Sequence, residues 1–111
     1  NNLLENSISM SYYAMYNKVL SLFFLSGIRC ENHRLSILIL KKFFNFDTKN
    51  LEFAKNQRIN KQYYAKTKVT PEETKKLIDI AEDFIEELDY FTERLTEKDI
   101  DNIRNKIKKQ I

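Results

Sequence analysis

Tryptophan is absent from the 111-residue sequence, and glycine, proline, cysteine and histidine occur once each, as Gly27, Pro71, Cys30 and His33. So few turn residues exclude a fold made of many tight turns, which needs glycine or proline at defined positions. A lone cysteine excludes an internal disulfide, so the fold does not depend on an oxidising compartment and a cytoplasmic location is the default expectation. Cys30 and His33 stand at i and i+3, but two ligands do not close a zinc centre without acids or a symmetry mate. The longest mainly apolar run, Val19 to Leu25 with Ser21 inside it, is far shorter than the roughly 18 residues that mark a membrane span, and no signal peptide is evident. Neither a membrane, a metal nor a cofactor is therefore expected. The chain opens on Asn1-Asn2 rather than methionine, which leads us to expect that upstream sequence has been trimmed.

What remains is a composition of 42% hydrophobic and 32% charged residues, enough to fill a core and solvate a surface. The length fits one domain, 1–111. Apolar residues at Ile8, Tyr12, Met15, Tyr16, Val19, Leu20, Phe23 and Phe24 recur at helical spacing and predict a first helix from about Ser7 to Ser26, stopped by Gly27. Asn32 is placed to cap a second helix carrying Leu35, Leu38, Ile39 and Phe43, ending near Asn45-Phe46-Asp47. A more polar third helix is expected from about Lys49 to Tyr64, with Leu51, Phe53, Ala54 and Ile59 available for packing. Thr70-Pro71-Glu72-Glu73 combines a threonine N-cap, proline at the first helical position and glutamate at the third. Behind it, Leu77, Ile78, Ala81, Phe84, Ile85, Leu88 and Phe91 form one stripe of a fourth helix. Thr96 with Asp99 opens a fifth, carrying Ile100, Ile103 and Ile107. No repeat or low-complexity tract interrupts the chain, so the expected fold is all-α, an antiparallel bundle of four to five helices.

Charge divides unevenly along this frame. From Lys49 to Lys68 there are six cations against Glu52, a net of +5; from Glu72 to Glu93 there are nine acids against Lys75 and Lys76, a net of −7. A basic segment that also carries Tyr63 and Tyr64 holds the ingredients of single-strand recognition, phosphate attraction and base stacking. The competing account is a solvated helix paired with its acidic neighbour. Pairs such as Glu82 and Glu86 have a spacing that could hold magnesium, yet an acidic solvent face explains them more simply.

Ser11-Tyr12-Tyr13-Ala14-Met15-Tyr16, the apolar run after it, Ser26-Gly27-Ile28-Arg29 and then Asn32-His33 resemble the HEPN family of prokaryotic helical domains. Arg58, followed four and five residues on by Gln62 and Tyr63, and the capped amphipathic stretch Val69 to Leu88 extend the likeness, which covers most of Ser7 to Leu88. The resemblance implies a helical bundle that commonly dimerises and a genomic partnership with a small nucleotidyltransferase as a toxin–antitoxin pair. Family members usually carry another amphipathic helix before the tyrosine-rich one, and Asn1 to Asn6 is too short to supply it. Many are metal-independent ribonucleases using arginine, four to six residues, then histidine. Such chemistry suits a group titrating near neutrality beside a cation that stabilises phosphate charge. Here Tyr63 and Tyr64 stand where that histidine would fall, and tyrosine, with a pKa of about 10, is a poor base at neutral pH. The nuclease motif is incomplete.

Helical geometry sorts the remaining candidates. Arg58 and Gln62, at i and i+4, share a face and could hold a phosphate together, whereas Tyr63 lies about 140° from Arg58 at roughly 100° per residue. The alternative for Arg58 is a structural pair with a helix-four carboxylate. His33, by the resemblance, caps or orients the second helix; proton transfer to RNA is its sharper alternative. Tyr13, Met15, Leu22 and Leu25 make helix one apolar beyond a single stripe, which predicts burial against a second copy, as a homodimer, or against an absent helix. The leading expectation is a HEPN-like binding module, partner of a small nucleotidyltransferase, contacting RNA or nucleotide through Arg58, Lys61, Gln62, Tyr63 and Tyr64. Two rivals stand beside it: a ribonuclease toxin using Arg58, Tyr63 or His33 at a nonstandard site, and a nucleotide-binding domain without RNA activity.

Overall fold

Each helix begins or ends where a local hydrogen bond satisfies backbone groups that helical geometry leaves free. In a computed structural model describing residues 2–63 and 68–110, α1 spans Asn2–Leu25, α2 His33–Phe43, α3 Lys49–Tyr63, α4 Pro71–Glu93 and α5 Glu97–Gln110. Gly27, at φ 70°, ends α1 in the left-handed conformation that glycine adopts without a Cβ clash. The N–H of Ile28 donates to Phe23 O at 2.8 Å and that of Gly27 to Phe24 O at 3.2 Å, the paired bonds of a Schellman motif. Asn32 Oδ1 accepts the Leu35 N–H at 2.9 Å and caps α2. Thr70 Oγ1 accepts the Glu73 N–H at 3.1 Å, with Pro71 at the first helical position of α4. Thr96 and Asp99 form a reciprocal capping box at α5, with bonds of 3.0 and 3.1 Å.

The result is an all-α bundle of five helices among the described residues, as the sequence predicts. α1 is the central rod: it packs against α3 and α4, which also touch each other, while α5 contacts α2. Its buried face carries Ile8, Tyr12, Met15, Tyr16, Val19, Leu22 and Phe23; α4 answers with Leu77, Ala81, Phe84 and Leu88. A phenylalanine cluster closes one end, where Phe44 stacks on Phe23 at 5.8 Å and Phe46 meets Phe84 at 5.6 Å and Phe91 at 5.2 Å. No described helix is long and apolar enough to cross a membrane.

Three packing expectations need correction. Phe24, assigned to the core by periodicity, is 88% exposed, and Leu22 takes its place. Met15 and Leu22 are buried within the chain, so they add nothing to an outer apolar surface; that surface consists of Leu3, Met10, Tyr13, Phe24 and Leu25. In α2 the buried face is Ser36, Ile37, Ile39 and Leu40, while Leu35 and Leu38 point outward, 48% and 51% exposed. The cause is the same in both helices. Where aliphatic and aromatic residues run nearly all round a helix, spacing alone does not select a face, and the neighbouring helices do.

Candidate anion-binding site

The tyrosine-rich half of α1 meets the start of α2 and the middle of α3. Tyr12, Tyr13 and Tyr16 lie at i, i+1 and i+4, so Tyr12 and Tyr16 share a buried face and Tyr13 sits at its edge, 37% exposed. His33, the first residue of α2, stacks on Tyr16 with ring centroids 3.9 Å apart, and its Nδ1 is 2.8 Å from the Tyr12 hydroxyl. The Tyr16 hydroxyl reaches Ser36 Oγ at 3.1 Å, so both buried phenols have partners on α2. His33 thus joins α1 to α2 and orients the helix start that Asn32 caps.

From α3, the Arg58 guanidinium lies 4.9 Å from the Tyr13 ring centre and 6.0 Å from that of Tyr12, both within cation–π range. Its Nε is buried and has no hydrogen-bond partner among the described residues. An orphaned guanidinium nitrogen beside a half-open tyrosine is a donor awaiting an acceptor, since buried polar groups are nearly always paired. Two titratable groups, His33 and Tyr12, border it. Burial first, then the charges of Lys55 and Arg58, hold the His33 pKa below its ordinary value, so the imidazole is neutral at pH 7. Burial, with Tyr16 and Tyr13 adding to it and Arg58 opposing, pushes the Tyr12 phenol up to about 12. Tyr12 therefore keeps its proton. The Tyr12 hydroxyl and His33 Nδ1 share a hydrogen bond of 2.8 Å whose donor follows the imidazole tautomer, and His33 is neutral rather than a cation.

The expected site residues separate in space. Arg58 and His33 converge on the same tyrosines, although 25 positions apart in the chain. Lys61, expected to contact RNA, is 8% exposed and bonds Glu73 Oε2 at 2.9 Å, tying α3 to α4. It is thus Lys61 that makes the carboxylate pair considered for Arg58. Gln62 and Tyr63 belong to the last turn of α3 but their side chains, like all of Tyr64, lie outside the described residues. Lys55 and Tyr13 join the site, Lys55 with no prior role and Tyr13 in place of the outer apolar surface to which its spacing assigned it. Lys55 stands three residues before Arg58, a helical spacing that could have pointed to it. Among the described residues no group of three or more His, Cys, Asp or Glu is arranged to hold a metal. Comparison with family models, curated proteins and solved structures yields no match to this chain.

Proposed function

We propose that this chain is a HEPN-like helical binding module whose Arg58 edge receives a phosphate of RNA or of a nucleotide, and which pairs with a small nucleotidyltransferase in a toxin–antitoxin-type couple. The nucleotidyltransferase partnership rests on the sequence resemblance alone. One observation carries the anion reading: the Arg58 Nε is buried without an acceptor and held against Tyr13, whose partly exposed ring offers a stacking face to a base. Lys55, three residues before Arg58 on α3, adds positive charge to the same helix face. A homodimer is part of the proposal, supported by the outward face of α1, where Leu3, Met10, Phe24 and Leu25 are 60–88% exposed.

Binding is tested by fluorescence anisotropy with a labelled single-stranded RNA over a salt series, wild type beside Arg58→Ala. Loss of affinity by roughly tenfold or more in the variant, with a shallower salt slope, is expected for a buried phosphate contact. Equal affinities and slopes in the two proteins would sink the Arg58 reading.

A second reading, a metal-independent ribonuclease, draws on a different observation: Arg58 and His33 lie at one tyrosine cluster, and His33 is neutral at pH 7. In that reaction the His33 tautomer whose Nδ1–H donates to the Tyr12 hydroxyl leaves Nε2 free to take the proton of the attacking 2′-hydroxyl, Arg58 stabilises charge on the phosphate, and the leaving 5′-oxygen takes a proton from water. Cleavage of a labelled RNA pool in EDTA that disappears in both Arg58→Ala and His33→Ala would establish it. Binding without cleavage leaves the module. A third, nucleotide binding alone, predicts thermal stabilisation by ATP or GTP with no RNA affinity.

A further inference from the structure

A second concave surface lies between α2 and α3. It encloses about 660 Å³ and is walled by Arg34, Leu35, Leu38 and Lys41 of α2 and by Glu52 and Lys55 of α3. Three cations face one carboxylate there, and Glu52 is already engaged, accepting the Thr48 hydroxyl at 2.8 Å. None of the three cations is ion-paired among the described residues. Between them, Leu35 and Leu38 are about half exposed on a helix whose other side is sealed against the core. The volume falls within the roughly 300–1,000 Å³ of ligand-sized clefts.

The chemistry of this lining differs from that of the tyrosine cluster. Among the described residues no aromatic ring borders the groove, so bases find no stacking platform in them, and single-stranded RNA is a poor match. Two leucines at i and i+3 flanked by cations instead match the pattern that receives one face of a helix: apolar anchors in the centre, carboxylates at the rim. We propose that the α2–α3 groove docks an acidic amphipathic helix of another protein, its apolar side on Leu35 and Leu38 and its carboxylates on Arg34, Lys41 and Lys55. A second copy of this chain does not fit the role. Its acidic helix α4 buries Leu77, Ala81, Phe84 and Leu88 in its own core and turns outward only Tyr90 and the partly exposed Ile78 among its acids, which is no match for two leucines one turn apart.

The test is an amide NMR titration with a synthetic helical peptide carrying leucine on one face and glutamate on the others. A peptide with lysine for every glutamate and an oligouridine serve as competing probes. The acidic peptide is expected to shift Leu35, Leu38, Lys41 and Lys55 saturably, with a Kd in the micromolar range, and the lysine peptide to leave them unmoved. Lys41→Glu and Leu38→Asp, both at exposed positions and checked for folding by circular dichroism, should each weaken binding by roughly tenfold. The proposal is overturned by no saturable shift up to about 1 mM peptide, by equal binding of the lysine peptide, or by unchanged affinity in both variants. Tighter occupation of the same residues by oligouridine, or equivalent shifts on raising protein concentration alone, would also overturn it. Neither variant touches Arg58, Tyr13 or Lys55, which borders both surfaces, so failure of peptide binding in Lys41→Glu and Leu38→Asp is distinguishable from failure of RNA binding in Arg58→Ala.

Discussion

Replacing Arg58 by methionine should make the protein more stable while removing the anion site proposed for it. An N–H buried without an acceptor costs about 1–3 kcal/mol relative to one left in water, and Arg58 Nε is in that position. Against this stands the attraction of the guanidinium for Tyr13 at 4.9 Å, about 0.5–1 kcal/mol for a partly exposed ring, with Tyr12 at 6.0 Å adding little. Methionine keeps the aliphatic stem that packs on the tyrosines and carries no donor. The balance is a gain of about 1 kcal/mol. For a domain of this size that raises Tm by roughly 4–8 °C, readable by far-UV circular dichroism in low-salt buffer without phosphate. In saturating RNA or nucleotide the order should invert, because only the wild type gains the binding energy. A fall of several degrees for Arg58→Met without ligand would refute the reasoning. It would mean that Arg58 is a satisfied structural residue and that the tyrosine cluster depends on it.

Gly27→Ala should lower stability by about 1–2 kcal/mol, since φ 70° is strained for any residue with a Cβ, while Gly27→Asn should cost less; urea denaturation of both variants checks this. The added Cβ meets the flexible end of Arg104 at 3.3 Å, a contact that side chain can relieve. Because the folded-state pKa of His33 lies below that of the unfolded chain, its contribution is intact above about pH 6.5 and is lost as pH falls through the folded value. Stability should therefore decline on that side of neutrality, and His33→Gln should flatten that part of a Tm-against-pH profile. Lys61→Met should leave RNA affinity within about twofold of wild type, because a lysine bonded to Glu73 is not free to meet a phosphate; anisotropy at fixed salt decides it.

The helices were legible because their determinants are local. Gly27 at the end of α1, Asn32 before α2, Thr70-Pro71 before α4 and Thr96 with Asp99 before α5 act within one turn of chain, so reading the sequence locates them. The apolar stripe of α4 was legible for the same reason, since its acids leave one main face to bury, although Ile78, expected in that stripe, is 37% exposed at its edge. Facing was not legible in α1 and α2, where apolar residues encircle the helix and Phe24, Leu35 and Leu38 could equally have been core.

The candidate site was half visible. Its arginine and histidine stood out as residue types, but their meeting across 25 positions depends on α1 serving both α2 and α3 as a common wall. Tertiary packing also decided which cation became structural. Lys61 and Arg58 are three residues apart and carry the same charge, yet of the two only Lys61 reaches the carboxylate of Glu73 at the start of α4. Composition and capping thus determined that the chain forms helices and where they stop. The neighbours of each helix decided which side chains were sealed, which were paired, and which guanidinium was left with an unmet hydrogen bond, because burial and pairing depend on distances in space that sequence spacing does not encode.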